Sequence, residues 1–393
     1  MIKRLVLTIV CFVVVGSSAL ALTETPTPSS DPTDDQLATI FDEAVATDNF
    51  QVAVDAYSAI IAENPTNSMA YYFLGRTYFE MNEYLLAADE YTESIRLNPN
   101  FADAYYYRGR LYTLFGDTDL AIADYTDAIR LNPNFAEAYH YRGSMYGGQG
   151  EYDLAFADFD EALGLRNDYA EAYATRGFWY HQIGEYDRSI DNYTAAIQLD
   201  PNDDRLFYTY FLRAITYNDM GNTDLAIADY TEAIRLLPEF TGAYYRRGLI
   251  YAELNNNDLA IANFTDAIHT RPDFANGFYH RALIYERLGE IDLAIADYTE
   301  AIRIHSGFYS PDVATTGDSY LRRGALLRGM GDYEGALADF NEALFNERSP
   351  RYSEAYVHYQ IGVTYREMGD LVSALSSFRT ALYGQQGYGD GMP

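Results

Sequence analysis

Six histidines and one cysteine are the side chains best suited to hold a metal or attack a substrate, and their spacing suits neither task. His140, His181, His269, His280, His305 and His358 are scattered, with no acidic or cysteine ligand following at metal spacing. The acids of "GDTDLAIADYTD" lack the glycine and loop pattern of a calcium hand. Enzyme motifs are absent, so the sequence predicts no catalytic residue, no metal site and no cofactor. What does recur is a cation matched with a carboxylate. Arg108, Arg142, Arg176, Arg213, Arg247, Arg281 and Arg323 hold one register, while Asp124, Asp158, Asn192, Asp229, Asn263, Asp297 and Asp339 hold another, each just before an aromatic residue. Where the first register carries Ile40, Leu74 or Ile361, the second carries Ala56, Glu90 or Ser377, so the two change together. A planar guanidinium grips a carboxylate through two parallel hydrogen bonds, which an ammonium cannot do. The chain has one lysine, Lys3. The expected product is a structural ladder of Arg–Asp contacts between helices; the functional alternative is a ligand path lined by arginines.

These registers belong to a longer period. The eight residues "DLAIADYT" occur at Asp119–Thr126, Asp224–Thr231 and Asp292–Thr299, with starts 105 and 68 residues apart. Sixty-eight is two steps of 34, and 105 is three steps plus three residues. Such a period signals a solenoid made from one repeated supersecondary unit. A frame set on 102–135 fits at 34–67, 68–101, 102–135, 136–169, 170–203, 207–240, 241–274, 275–308, 317–350 and 355–383. Short insertions interrupt it at Asp204–Leu206, Tyr309–Thr316 and Arg351–Glu354.

Each unit reads as two helices. "ADAYYYRGRLYTLFG" carries apolar and aromatic residues at helical spacing and ends on Gly116, a C-cap candidate. "DTDLAIADYTDAIRLNP" opens on aspartates suited to an N-cap and stops before Pro133, which a continuing helix would exclude. The eighth position of the unit is small: Gly75, Gly109, Gly143, Gly177, Gly248, Gly324 and Gly362, with alanine at 214 and 282. The second helix answers with Ala121, Ala155, Ala226, Ala260 and Ala294 among others. Glycine inside a helix costs about 1 kcal/mol against alanine, so its recurrence predicts that the two backbones approach closely.

The formal charge of −31 argues against nucleic acid, whose phosphates need Lys and Arg, and against anionic membrane surfaces. The opening stretch "MIKRLVLTIVCFVVVGSSALA" has a basic start, an apolar run and Ala19-Leu20-Ala21, a small-x-small site. It is expected to be a signal peptide over 1–21, cleaved on export to the periplasm, cell surface or exterior. The alternative is an uncleaved anchor, the one route by which the chain would meet a membrane. Residues 22–33, rich in Pro, Ser and Thr, read as a linker, and 384–393 as a glycine-rich tail.

An aromatic, then Gly, Tyr, Ala, an aromatic, Ala and Pro within 34 residues resembles the tetratricopeptide repeat family over roughly 34–383. The wording "AYYYRG…AIADYTDAIRLNP" is similar to the subtype common in bacterial secreted or membrane-associated members. The arginine register departs from the family, which normally has an apolar residue there. The resemblance implies an all-α, right-handed superhelical solenoid of about ten helical hairpins whose concave groove binds a protein or peptide without chemistry. It further implies that the groove is faced by Tyr72, Phe79, Tyr106, Phe178, Tyr208, Phe211, Tyr245, Tyr279, Tyr356 and Tyr359. His140 and His181 are expected on one groove wall. Arg76 with Arg110, and Arg328 with Arg366, are pairs that could hold a carboxylate. Two other roles stay open: binding of a glycan or cell wall, and assembly through self-association of the terminal repeats.

Overall fold

The computed structural model describes residues 32–199, 204–305, 313–345 and 353–383. The expected signal peptide, all but two residues of the linker and the glycine-rich tail lie outside the described residues, as does much of the second and third insertions. Among the described residues all regular structure is helical: twenty α-helices, one short 3-10 turn and no strand. The architecture is an all-α array of helical hairpins.

The chain divides into two compact units, at Arg205 and Leu206. The first holds α1 (Asp34–Thr47), α2 (Phe50–Glu63), α3 (Ser68–Glu80), α4 (Tyr84–Leu97), α5 (Ala102–Phe115), α6 (Thr118–Leu131), α7 (Ala136–Gln149), α8 (Tyr152–Leu165), α9 (Ala170–Gln182) and α10 (Tyr186–Leu199). The second holds α11 (Phe207–Asp219), α12 (Thr223–Leu236), α13 (Thr241–Glu253), α14 (Asn257–Thr270), α15 (Ala275–Leu288), α16 (Ile291–His305), α17 (Val313–Gly329), α18 (Tyr333–Phe345), α19 (Glu354–Met368) and α20 (Leu371–Tyr383). The first insertion is the 3-10 turn Asp204–Leu206. Each odd-numbered helix packs chiefly on the even-numbered helix after it, and each hairpin then packs on the next within its unit.

Local signals set these ends. Gly116, Gly150, Gly289 and Gly369 follow α5, α7, α15 and α19 with φ between 78° and 86°, a left-handed turn that stops a first helix without a Cβ penalty. Asn82 and Asn255 take the same conformation after α3 and α13. Asp117 caps α6 differently from its sequence promise: its side chain makes no cap bond, and its carbonyl instead accepts from Ala121. A full capping box opens α1, where Thr33 and Gln36 bond each other's backbone.

Within a hairpin, the small eighth position faces an aromatic ring as well as an alanine. Tyr57, Tyr91, Tyr125, Phe159, Tyr193, Tyr230, Phe264, Tyr298 and Phe340, one to each of α2, α4, α6, α8, α10, α12, α14, α16 and α18, are almost wholly buried. A Cβ on Gly75, Gly109 or Gly248 would stand 2.8–2.9 Å from the ring of Tyr91, Tyr125 or Phe264. On Gly143 it would meet the Ala155 carbonyl at 3.0 Å, on Gly177 the Ser189 carbonyl at 3.2 Å, and on Gly324 and Gly362 the rings of Phe340 and Phe378 at 3.0 and 2.7 Å. Ala121, Ala155, Ala226, Ala260 and Ala294 are completely buried beside these contacts. The missing side chain thus makes room for a partner's ring.

The first repeat is closed on its outer side. Internal first helices bury positions three and ten of the unit, as in Ala104 and Leu111 of α5, and half-bury position six, Tyr107. In α1 these positions are Gln36, Thr39 and Glu43, all exposed. Polar residues there solvate a face that has no preceding hairpin.

Two neighbouring glycines of α7 separate packing from propensity. A Cβ on Gly147 would lie 2.4 Å from the ring of Trp179, the sole tryptophan, whereas one on Gly148 would meet nothing within 4 Å. Gly147→Ala is expected to destabilise by about 1–3 kcal/mol through overpacking and to shift Trp179 fluorescence. Gly148→Ala is expected to stabilise by about 0.5–1 kcal/mol and leave the emission unchanged. Denaturant melts followed by fluorescence measure both.

Candidate functional site

The two charged registers meet in space. Arg108 on α5 donates from Nε to Asp124 Oδ2 and from Nη2 to Oδ1 on α6, both at 2.8 Å. The same double bond joins Arg142 to Asp158, Arg213 to Asp229, Arg281 to Asp297 and Arg323 to Asp339, at 2.7–2.9 Å. Where asparagine stands in for aspartate the Nε bond is kept: Arg176 to Asn192 and Arg247 to Asn263, each at 2.8 Å. Side-chain exposure is 7–9% for the five aspartates and 14–17% for their arginines, so these groups line the hairpin interior and offer no ligand path.

The remaining guanidinium nitrogen reaches the previous hairpin. Nη1 of Arg108, Arg142, Arg247, Arg281 and Arg323 donates to Thr92, Thr126, Thr231, Thr265 and Thr299 at 2.8–3.3 Å. Arg176 donates to Asp160 instead. Each arginine therefore ties three helices together. The threonine end of the tie went unnoticed in the sequence, although it closes the phrase "DLAIADYT". Burial raises the Asp124 carboxyl above its ordinary range, and the bonds from Arg108 oppose that shift. Such a pair offsets its own desolvation more than it adds stability.

The second hairpin shows the register without its cation. Glu90 on α4 is half-buried where seven other hairpins carry Asp or Asn, and Leu74 replaces the arginine. Burial, then the nearby charges of Asp89 and Glu93, push its pKa up to about 7.

Most residues expected to face a groove are spent on packing. Tyr72, Tyr106, His140, Phe211 and Tyr245 share the fifth position, and each ring sits 4.8–5.0 Å from the aromatic closing its own unit: Phe101, Phe135, Tyr169, Phe240 and Phe274. Tyr72, Tyr106 and His140 are buried. His140 hydrogen-bonds Tyr169 Oη through Nδ1 at 2.9 Å and Thr175 Oγ1 through Nε2 at 3.0 Å. Burial, with Arg166 nearby, lowers its pKa to about 3, so it is a neutral core histidine that shares no open wall with His181. His181 is half-buried and 5.4 Å from the ring of Tyr186. Tyr279 is buried too, donating its hydroxyl to Asp318, which Arg322 approaches at 3.4 Å. Arg322 also bonds Glu286, which accepts from Tyr298 at 2.7 Å.

Phe79, Phe178 and Tyr208 remain half-buried, and Tyr356 and Tyr359 are 42% and 50% exposed. Arg328 bonds Gln360 at 2.7 Å and lies 3.8 Å from Glu367, whereas Arg366 is exposed, so these two do not present a matched pair. Arg76 and Arg110 differ. Each is half-buried on consecutive first helices; Arg76 lies 4.0 Å over Phe41 and 5.0 Å over Tyr107, and Arg110 lies 4.8 Å over Phe79 and 5.6 Å over Tyr107. Among the described residues no carboxylate is within ion-pair distance of either. Burial raises the Glu171 carboxyl, and Arg110 acts on it without pairing.

Asn192-Tyr-Thr and Asn263-Phe-Thr spell N-glycosylation sequons, but both asparagines are buried and donate to the carbonyls of Arg188 and Leu259, which closes them to modification. Among the described residues no cluster of His, Cys, Asp and Glu could hold a metal, and no helix is long and apolar enough to cross a membrane.

Comparison with known sequences places the repeats. Family models described as "Tetratricopeptide repeat" match residues 39–100, 74–134, 115–170, 211–262 and 321–389, 273–344 and 170–203. No curated protein matches the chain. Among solved structures, it is similar to a tetratricopeptide repeat protein from Parabacteroides merdae ATCC 43184, at 23% identity over 64% of this chain and 98% of that one, with a TM-score of 0.49. It is also similar to PilW, a type IV pilus biogenesis factor, at 20% identity over 54% and 96%, TM-score 0.47. A third is YrrB, described as having an unusual peptide-binding site, at 21% over 50% and 99%, TM-score 0.41.

Two expectations test the charged registers. Asp229→Ala strands Arg213 and should cost about 3 kcal/mol in urea unfolding, whereas Asp229→Asn keeps the Nε bond and should cost about half that or less. A loss under about 0.5 kcal/mol for the alanine variant would put the pair on the solvated surface. For Glu90 the folded pKa lies above the unfolded one, so the native state binds more protons and stability falls as pH rises from about 4.5 through about 7. Glu90→Gln should therefore raise the melting midpoint near pH 8 more than near pH 5; equal shifts would contradict this.

Proposed function

The chain belongs to the tetratricopeptide repeat family of protein-interaction scaffolds, and on that premise we propose that it is an exported, non-enzymatic scaffold whose first unit receives an acidic segment of a partner protein. The observation that carries this reading is the pair Arg76 and Arg110. Two half-buried cations with no carboxylate partner among the described residues are unusual in a chain of formal charge −31, where acids are available to satisfy any arginine. The rings beneath them, Phe41, Phe79 and Tyr107, fix the guanidinium planes, and Arg76 also hydrogen-bonds Tyr72, so a ligand would be received by the N–H groups that remain. Planar edges so held suit the bidentate grip of a carboxylate, either a side chain or a chain terminus.

Aromatic packing limits the rest of the reading. Because the fifth-position rings are committed to the core, recognition falls to Arg76, Arg110 and the half-buried Phe79 of the first unit. Export is supported by the basic–apolar–small opening of the sequence alone.

Capture of a partner from envelope extract, followed by anisotropy with an acidic peptide from that partner, tests the proposal. Arg76→Gln and Arg110→Gln should each weaken binding about 10–100-fold, with circular dichroism unchanged. Equal affinity for a peptide whose acids are replaced by amides would overturn it.

A further inference from the structure

α20 leaves open to water a position that comparable helices bury or half-bury. At the twenty-eighth position of the unit, Ile95, Ile129, Leu163 and Ile302 are 7–9% exposed, because the next first helix covers them, and Ile61, Ile234, Ile268 and Leu344 are half-buried; Leu382 at the same position is 75% exposed. Leu371, Val372, Leu375 and Tyr383 stand beside it at 54–82%. They recur at helical spacing, 371, 375 and 382 with 372 and 383, so they form one stripe along the helix. The stripe also stands apart electrically. α20 contains no Asp or Glu and one Arg, while every other helix among the described residues carries at least one acid.

We propose that this stripe is the contact by which two copies of the chain associate, α20 against α20, in a two-fold dimer. Three observations select that occupant. First, the tail "GQQGYGDGMP" that follows α20 offers only Tyr388 and Met392 as apolar cover, among four glycines. Second, a second copy does not continue the stack with its first repeat, because α1 presents Gln36, Thr39 and Glu43, all exposed, where α5 presents Ala104, Tyr107 and Leu111. Head-to-tail stacking would bury polar groups without partners. Third, two chains of formal charge −31 repel each other, and α20 is where they can meet without opposing carboxylates. A surface that complements itself closes as a two-fold pair and does not propagate into a filament. The aliphatic stem of Arg379 adds to the apolar stripe while its guanidinium reaches the solvated rim. The contact is independent of the groove residues on the first unit.

Light scattering of the full chain on a sizing column tests the contact. The expected mass is that of a dimer, falling twofold to a monomer in Val372→Glu/Leu382→Glu, with helicity and melting midpoint kept because both side chains already face water. Leu120→Glu, on a half-exposed leucine of α6, should leave the dimer intact and serves to separate a specific contact from general apolar stickiness. A monomeric wild-type chain overturns the proposal, and so does a dimer that survives the α20 substitutions, including one held by the N-terminal apolar segment common to all variants. If wild type is monomeric and Tyr388→Ser/Met392→Ser becomes dimeric, the tail is the occupant and the proposal fails.

Discussion

A ring pressed where a side chain is missing holds most of the hairpins together. Tyr125 fills the space that Gly109 leaves open, and Tyr91, Phe264 and Phe340 do the same against Gly75, Gly248 and Gly324. This close fit fixes how the two helices of a hairpin sit, and the arginines then find their aspartates without searching. Sixteen residues separate Arg108 from Asp124, yet their atoms meet within 2.8 Å because the glycine contact sits one position away on each helix. Packing comes first in this array, and the charges are laid on top of it.

The chain's acidity makes that order necessary. Fifty-eight acids face twenty-seven basic residues, so a stack of acidic hairpins repels itself over the Debye length. Drawing one carboxylate inside in each of five hairpins and neutralising it with arginine removes part of that repulsion from the surface. Arginine does this with a third donor to spare, which lands on the threonine of the hairpin before. Electrostatic relief and linkage between repeats thus come from the same side chain.

The period, the hairpin boundaries and the paired charges were legible because they repeat, and a repeated pattern averages out local ambiguity. The arginine and aspartate registers could be matched without coordinates because Leu74–Glu90 and Ile361–Ser377 changed in step. The groove was less legible. Tyr72 and Tyr106 were placed on it by analogy, but the aromatic closing each unit, Phe101 or Phe135, draws those rings inward, and a ring's direction cannot be read from its position alone. His140 was misplaced for the same reason, since Tyr169 and Thr175 come from the next stretch of chain and satisfy both its nitrogens. The Asp318–Arg322–Glu286 network depends on three helices at once and left almost no local trace. Arg76 and Arg110 stood out in sequence only as a pair one unit apart; what distinguishes them is the carboxylate they lack among the described residues.

The Arg-to-Thr tie runs backwards from each hairpin to the one before, and it begins only with Arg108. Leu74 and Ile40 leave the first two hairpins without an arginine tie, and Glu90 adds an acid with no arginine at that register of the second. Pulled from its N-terminal end, as a chain fixed to a surface through that end would be, the first unit would therefore yield in stages. The first two hairpins would peel away at low force, and extension would halt where the tied hairpins start. The array thus contains its own slack, and Phe41, which lies under Arg76, belongs to the part that lets go.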